Sequence, residues 1–281
     1  MKSTQELKDI VVQVRRDIVR MVHAVQSGHP GGSLGCAEFF TVLYHRVMKF
    51  SPVPFNLTGE NEDVFVLSNG HISPVYYSTL ARAGYFEVSE LATFRKIDSR
   101  LQGHPATEEG LPGIRIASGS LGQGLSVANG LALSKRLNND PCTVFVLMGD
   151  GELQEGQNWE AIMFAAHNKV DNLIATIDVN GQQIDGSTKD IMGFVELRSK
   201  FESFGWHVLE MEGNDVDSVY QGLTTAIDKS RQGKPIVILM NTEMGNGVDF
   251  MMGSHAWHGI APNDEQLTTA LSQNNETLGD Y

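Results

Sequence analysis

Short apolar runs recur along the chain and alternate with stretches that carry helical periodicity. Each run is rich in Val, Ile, Leu and Phe and lacks the polar alternation of a half-exposed strand, so it predicts a strand buried on both faces. Strands joined through helices form an α/β fold, a mostly parallel sheet with helices on both faces. Ligands of such sheets bind at the carboxyl ends of the strands. The five runs are 64–68, 143–148, 173–178, 206–211 and 235–240.

Local signals mark where the first helices begin and end. The residues Ser3-x-x-Glu6 form a capping box, and apolar residues at helical spacing follow it. Glycine and proline at 27–32 predict the end of this helix, and a second helix is predicted over 34–49.

No linker, internal repeat or low-complexity tract divides the 281 residues. A chain of this length with 41% hydrophobic residues can bury a sizeable core, so we expect one domain over residues 1–281. Within it, 181–193 is predicted to be a loop and 273–281 a polar C-terminal tail.

Composition excludes several classes of protein. The formal net charge of −13 and the lack of a dense Arg/Lys cluster argue against nucleic-acid binding and leave no obvious site for an anionic substrate. Cys36 and Cys142 lie in apolar contexts and are expected to be buried, reduced thiols. No run approaches the length of a membrane span and the N-terminus has no apolar targeting segment, so we expect a soluble, cytoplasmic protein.

The segment Gly149-Asp150-Gly151 comes directly after one predicted strand, and Asn180 follows the next. A carboxylate, an amide oxygen and a nearby backbone carbonyl would therefore meet at neighbouring strand ends. A few oxygen ligands, with open positions for phosphates and water, are the usual way of holding Mg²⁺, and a helix N-terminus beside them suits a diphosphate. The simpler interpretation is that Asp150 only caps a turn. No G-x-G-x-x-G motif follows a strand, which disfavours a nicotinamide cofactor.

Other candidate site residues lie in loops. A glycine-rich turn over 118–124 suits a backbone that wraps a flat ligand, although a close-packed helix start explains it equally well. Histidine suits proton transfer and binds sugar hydroxyls. Four histidines beside glycine in predicted loops fit such roles, the role of His258 stays open, and the remaining four are assigned to structure. The four candidates are His29, His71, His104 and His255.

Taken together, these loops resemble the diphosphate-binding domain of transketolase, a thiamine-diphosphate-dependent enzyme. The resemblance runs from the N-terminus to about residue 262, and the order of the motifs is that of the family. Ser33 departs from it, standing where many relatives have proline. The motifs are Ser27-Gly-His-Pro-Gly31, Leu67-Ser-Asn-Gly-His71, Gln102-Gly-His-Pro105, Gly119-Ser-Leu-Gly-Gln-Gly124, Gly149-Asp-Gly151, Asp178-Val-Asn180 and Gly253-Ser-His255.

The resemblance implies roles for individual residues. Asp150, Asn180 and the carbonyl of Gln182 would bind Mg²⁺, with Ca²⁺ as the alternative ion. Glu155 would match an acidic residue near a subunit interface that couples cofactor sites. His29, His104 and His255 would handle substrate hydroxyls and protons. The residues implied to contact thiamine diphosphate are His71, Gly119, Leu121, Gly149, Gly151 and His255.

The resemblance also implies a partner. Transketolases transfer a two-carbon ketol unit from a ketose phosphate to an aldose phosphate, and a second, pyrimidine-binding domain carries residues that contact cofactor and substrate phosphate. This sequence ends before such a domain. We therefore expect the N-terminal subunit of a split transketolase, whose partner is the C-terminal subunit, with self-association across a dimer interface and a heterotetramer of two copies of each chain.

Three alternatives remain open at this stage. One is another thiamine-diphosphate subunit, such as the alpha chain of a 2-oxo acid dehydrogenase. A second is a specialised transketolase acting on an unusual pentulose phosphate. The third is a non-catalytic binding module that keeps the fold.

Overall fold

A five-stranded parallel sheet forms the centre of the computed structural model, which describes residues 2–281. Its strand order is β1-β2-β3-β7-β6, and every neighbouring pair is parallel. The predicted α/β class, and each predicted strand to within one or two residues, are thereby confirmed. The five strands are β1 (Val64–Leu67), β2 (Val144–Gly149), β3 (Leu173–Val179), β6 (His207–Glu212) and β7 (Ile236–Asn241).

Helices cover both faces of the sheet. Alternate strand residues point to opposite faces, so Phe65 and Phe145 belong to one apolar core while Val64 and Val144 belong to the other. The first core is completed by α1, α3, α4 and α9, and the second by α5, α6 and α8. The helices are α1 (Thr4–Val25), α2 (Pro30–Gly35), α3 (Ala37–Val42), α4 (Ser73–Arg82), α5 (Gly124–Leu137), α6 (Gly156–His167), α7 (Thr188–Met192), α8 (Leu197–Ser203), α9 (Val216–Lys229) and α10 (Asp264–Gln273).

The capping box at the start of α1 is present as predicted. The Ser3 hydroxyl accepts from the backbone of Glu6, and the Glu6 carboxylate accepts from the backbone N–H of Ser3. The helix ends at Val25, where Gln26 adopts a left-handed φ of 50°. Among residues 2–281, no helix is both long enough and apolar enough to cross a membrane.

The prediction of one helix over 34–49 is wrong. Helix α2 begins earlier, at Pro30, because proline suits the first turn of a helix, and a π-helical turn over Leu43–Val47 follows α3. Gly35 packs so closely on the segment after β7 that an added Cβ would lie 3.0 Å from the carbonyl oxygen of Glu243. This contact is tertiary, and the helical periodicity of the sequence does not encode it.

The segment 181–193, predicted to be a loop, contains regular structure. A short antiparallel hairpin, β4 (Gln182–Gln183) and β5 (Gly186–Ser187), leads into α7. The Ser187 hydroxyl caps α7 by accepting from the backbone N–H of Asp190 at 3.1 Å. These pieces are too short to show an apolar period, so the sequence pattern does not reveal them.

The polar tail over 273–281 folds back along α1. Asp280 is its anchor: its carboxylate accepts from Arg16 at 2.6 and 2.9 Å, from Arg20 at 3.0 Å and from Gln13 at 2.9 Å. The Arg16 guanidinium lowers the pKa of Asp280 to about 2. Side-chain charge therefore ties the last residues of the chain to the first helix.

The Asp280→Asn variant tests this anchor. Losing the charge-assisted hydrogen bonds is expected to lower the free energy of unfolding by about 2 kcal/mol at pH 7, measured by urea denaturation. Because the folded pKa lies below the value of about 3.9 in an unfolded chain, the stabilisation is present above pH ~4. The difference between wild type and variant should therefore shrink as the pH falls toward 2. Glu265→Gln, an exposed change of the same charge on α10, serves as control; an equal loss in both variants would contradict the assignment.

Candidate active site

A cavity of about 320 Å³ opens at the carboxyl ends of β2 and β3. Loops that follow β1, β2 and β3 contribute its walls, together with the glycine-rich turn before α5. This is the position that the parallel sheet predicts for a ligand site. It also contains most of the residues singled out from the sequence.

Asp150 and Asn180 meet at this edge, as predicted. In the β2–β3 ladder Gly149 lies opposite Asp178, which brings the residues after each strand together. The Asp150 carboxylate, 4% exposed, accepts from the backbone N–H of Gly151 and from that of Gly181, both at 2.7 Å. Gly181 directly follows Asn180, so the acid and the amide line one cavity.

A second acidic residue, Asp178, orients the Asn180 side chain. The amide nitrogen of Asn180 donates to the Asp178 carboxylate at 2.8 Å, and its amide oxygen accepts from the backbone N–H of Gln182 at 2.9 Å. Asp178 is 2% exposed and also accepts from the Thr242 hydroxyl. Its backbone oxygen accepts from the N–H of Asp150 at 3.0 Å. Asp178 therefore connects the ends of β2, β3 and β7.

The electrostatics of this corner favour a cation. Burial, followed by repulsion from Asp178, raises the pKa of Asp150 to about 7. Glu152 and Glu155 also line the cavity, whereas the described residues that line it include no Lys or Arg. A carboxylate, an amide oxygen and a carbonyl are the hard oxygen donors that a divalent cation takes, with phosphates completing the coordination. The residues present thus fit a divalent ion and a diphosphate. Within residues 2–281, no group of three or more His, Cys, Asp or Glu side chains has the arrangement of a metal site. The predicted ligand set would not form such a group, because Asp150 is its only side chain of these four types.

Glu152 holds the loops around the cavity, a role that no motif in the sequence signals. Its carboxylate, 2% exposed, accepts from the backbone N–H of Gly122 at 2.8 Å, from that of Gly149 at 3.1 Å and from the Ser68 hydroxyl. Burial raises the pKa of Glu152. Gly122 has a φ of +86°, which only glycine adopts readily, so the glycine-rich turn has a conformational reason for its composition.

The residues predicted to contact a cofactor line the cavity together. His71, Gly119, Leu121, Gly149 and Gly151 all belong to its wall, as do Gln182 and Glu155. Glu155 is exposed and forms the N-cap of α6, after a single 3₁₀ turn over Gly151–Gln154. Its role in coupling cofactor sites stays a prediction.

Four histidine rings lie close together in the cavity wall, those of His29, His71, His104 and His258. The ring of His29 lies 5.1 Å from that of His71, 5.6 Å from that of His258 and 6.4 Å from that of His104, between centroids. Burial is the main cause that lowers the pKa of His29 to about 4, and it lowers the pKa of His71 and of His258 as well. These rings are therefore neutral near pH 7. The Nδ1 atoms of His29 and His258 are buried without a hydrogen-bond partner among the described residues.

His255 and His258 are placed differently from expectation. His258 lines the cavity and packs with its ring centroid 4.9 Å from that of His71. His255 is exposed and lies outside the cavity wall, so its predicted catalytic and cofactor-binding roles stay predictions. Both residues belong to one short 3₁₀ segment, and nothing in the local sequence indicates which ring faces inward.

Comparison with known proteins identifies the class. Residues 7–276 match the family described as the transketolase, thiamine diphosphate binding domain. The chain belongs to this family, which confirms the predicted fold, the ketol-transferring enzyme class and thiamine diphosphate as the cofactor.

Individual relatives narrow the assignment to one component of a transketolase. The chain is 39% identical over 272 residues to an apulose-4-phosphate transketolase subunit of Actinobacillus succinogenes, covering 96% of both chains. It is 38% identical to the 6-deoxy-6-sulfo-D-fructose transketolase subunit of Clostridium sp., covering 92% of this chain and 93% of that one. The human transketolase is 36% identical over 262 residues, and the match covers only 40% of its length. These matches confirm the prediction that the chain corresponds to the N-terminal subunit of a split transketolase.

Solved structures agree with this assignment. The transketolase of Campylobacter jejuni superposes with a TM-score of 0.89 at 33% identity, covering 98% of this chain and 43% of that one. The enzyme of Leishmania mexicana gives a TM-score of 0.88 at 30% identity over the whole of this chain and 43% of that one. The chain thus spans about two fifths of the full-length enzymes.

Glu152 and Glu155 form a matched pair for testing the loop anchor. Glu152→Gln places an amide NH₂ or a weaker acceptor against buried backbone donors and should lower the free energy of unfolding by about 2–3 kcal/mol in urea denaturation. Glu155→Gln, exposed at the rim, should change it by less than about 0.5 kcal/mol. Equal effects of the two substitutions would show that the Glu152 carboxylate does not hold the loops.

Proposed function

We propose that this chain is the diphosphate-binding subunit of a two-component transketolase. With a separate pyrimidine-binding subunit it transfers a two-carbon ketol unit from a ketose to an aldose, using thiamine diphosphate and Mg²⁺. The observation that carries the proposal is the meeting of Asp150 and Asn180 at the ends of β2 and β3, in one cavity with the histidine rings.

Asp150, Asn180 and the carbonyl of Gln182 would hold the metal ion, with Ca²⁺ as the alternative to Mg²⁺. A divalent ion at this position would offset the repulsion between the Asp150 and Asp178 carboxylates. Among the described residues that line the cavity, no Lys or Arg could do so. Asp178 would act behind the ion, since its hydrogen bond fixes the orientation of the Asn180 amide.

His71, Gly119, Leu121, Gly149 and Gly151 would bind thiamine diphosphate, which, when bound, supplies the electron sink for carbon–carbon cleavage. A Cβ added at Gly119 would make only ordinary van der Waals contact with the ring of His104, at 3.5 Å, so the glycine serves to keep this part of the cavity wall free of a side chain. Glu152 keeps this turn rigid through the N–H of Gly122. The chain thereby contributes binding and orientation.

Neutral histidines would handle protons at the substrate. His29, His104 and His258 can each accept a proton from a hydroxyl through one ring nitrogen or donate a hydrogen bond through the other. Burial keeps their basicity low, so they remain unprotonated until a substrate proton is delivered. A contribution from His255 requires that its loop be rearranged in the assembled enzyme.

The partner is inferred from the relatives and from charge. Two relatives that this chain covers almost end to end are named as subunits, whereas full-length transketolases carry the same region as two fifths of one chain. The described residues that line the cavity offer no Lys or Arg for an anionic sugar, so the partner would grip that group. Self-association of such pairs would give two copies of each chain, and a cytoplasmic location would suit phosphorylated sugars as substrates.

The substrate is proposed to be a ketose with an anionic terminal group. Two relatives are named for apulose 4-phosphate and for 6-deoxy-6-sulfo-D-fructose, so the specialised-transketolase alternative has specific support. Both names describe sugars that carry a phosphate or a sulfonate. The family match favours this chemistry over that of a 2-oxo acid dehydrogenase alpha chain.

Reconstitution tests the two-component proposal. The purified chain alone, with thiamine diphosphate and Mg²⁺, should release almost no aldose from a panel of ketose phosphates and sulfonates. Addition of a pyrimidine-binding transketolase subunit should raise the rate by at least about 10³-fold, because the cofactor and anion contacts are then complete. Robust ketol transfer by the single chain would refute the proposal, and turnover of a 2-oxo acid instead would replace it.

Asp150→Ala tests the metal site. We expect cofactor affinity in the presence of Mg²⁺ to fall by at least about 100-fold in calorimetric titration, because the carboxylate ligand is lost. Circular dichroism should stay that of the wild type. Asp185→Ala removes an exposed carboxylate from the β4–β5 turn and should leave the affinity unchanged. Wild-type affinity in Asp150→Ala would contradict the ligand assignment.

A further inference from the structure

Arg95 lies beneath the two Gly-His-Pro turns that carry His29 and His104. Its Nη1 donates to the hydroxyl of Ser27 at 2.8 Å, in the first turn. Its guanidinium packs against Gly103 in the second turn, so closely that a Cβ on Gly103 would lie 2.7 Å from Cζ. One side chain therefore contacts the residues that precede both histidines.

The backbone conformation of Arg95 is consistent with this position of its side chain. Its φ of 56° lies in the left-handed region, which non-glycine residues enter only where the surroundings require it. The backbone N–H of Arg95 donates to the carbonyl oxygen of Leu101 at 2.8 Å, which closes the loop between the arginine and the second turn. The preceding ring, Phe94, is buried and lies 3.5 Å from the position of a Cβ on Gly28. Residues 94 and 95 thus fill the space between the turns.

We propose that Arg95 is a positioning residue that braces the two Gly-His-Pro turns and fixes where the rings of His29 and His104 stand in the cavity. Its effect on turnover rests on the proposed ketol transfer, whereas its effect on the rings does not. Nothing in the motifs of the sequence singles this residue out, because it lies outside the turns it supports.

The charge of the guanidinium has a second consequence. Arg95 lowers the pKa of His104, after burial, and contributes to the low pKa of His29 together with His258 and His104. The other titratable groups around these rings are His71 and the cavity carboxylates Asp150, Glu152, Glu155 and Asp178. A fixed positive charge beside a neutral imidazole disfavours its protonation, so Arg95 also helps to keep both rings in the neutral form near pH 7.

Substitutions of Arg95 test whether the residue positions the two histidine rings or only stabilises the fold. The readout is the ring ¹⁵N signal of each histidine between pH 4 and 8, followed by NMR on the full chain and assigned with His29→Asn and His104→Asn. In Arg95→Met the ring signals should shift and the pKa of His104 should rise toward its ordinary value. Arg95→Lys, which keeps the charge, should restore the pKa. Lys96→Met removes an exposed neighbouring charge and should leave the signals as in wild type.

Two further experiments complete the test. If Arg95→Met does not fold, Ser27→Ala removes only the acceptor of the guanidinium, and the His29 ring signals should still shift. In the reconstituted enzyme, Arg95→Met should lower kcat/KM roughly ten- to hundredfold, with partial rescue in Arg95→Lys. Unchanged ring signals in both Arg95→Met and Ser27→Ala, or an equal pKa rise in Lys96→Met, would overturn the proposal. A wild-type complex without ketol transfer would instead count against the proposed function and leave the NMR result intact.

Discussion

The pairing of β2 with β3 forces two buried carboxylates together, and the architecture of the site depends on that arrangement. Gly149 lies opposite Asp178 in the ladder, so Asp150 emerges beside it with its N–H bonded to the Asp178 carbonyl. Burial and mutual repulsion both disfavour their ionised forms. Hydrogen bonds from Gly151, Gly181, Asn180 and Thr242 offset part of this cost. The proposed divalent cation would offset the rest at this carboxyl-end edge of the sheet.

The rest of the cavity is organised by buried polar and charged groups acting at short range. Glu152 accepts from donors after β1, in the glycine-rich turn and at the end of β2, so one buried carboxylate sets the relative positions of three segments of the cavity wall. The histidine rings of the cavity differ from these carboxylates in charge. Burial is the main cause that keeps the rings neutral near pH 7, and Arg95 adds to it at His29 and His104. The acidic corner suits binding, and the neutral rings suit proton transfer.

The proposed division of labour between two chains rests on the same charges. The cavity wall combines carboxylates and neutral rings, and the described residues in it include no Lys or Arg for an anionic sugar. Relatives of nearly the same length are named as transketolase subunits, and longer relatives carry this region as part of one chain. The proposed partner would therefore complete both the cofactor site and the recognition of the anion.

Local signals in the sequence determined the strands, the capping box of α1 and the positions of Asp150 and Asn180 at the strand ends. Apolar runs of strand length have one stable environment, and parallel strands bring their carboxyl ends to one edge, so Asp150 and Asn180 were predictable as neighbours. Only the tertiary structure decided which of two nearby acids is buried, Glu152 rather than Glu155, and which of two nearby histidines lines the cavity, His258 rather than His255. It also decided that Asp280 anchors the tail on α1 and that Arg95 lies under two distant turns. These placements depend on contacts between residues far apart in the chain, whereas hydrophobic period and turn composition report only on residues close together in it.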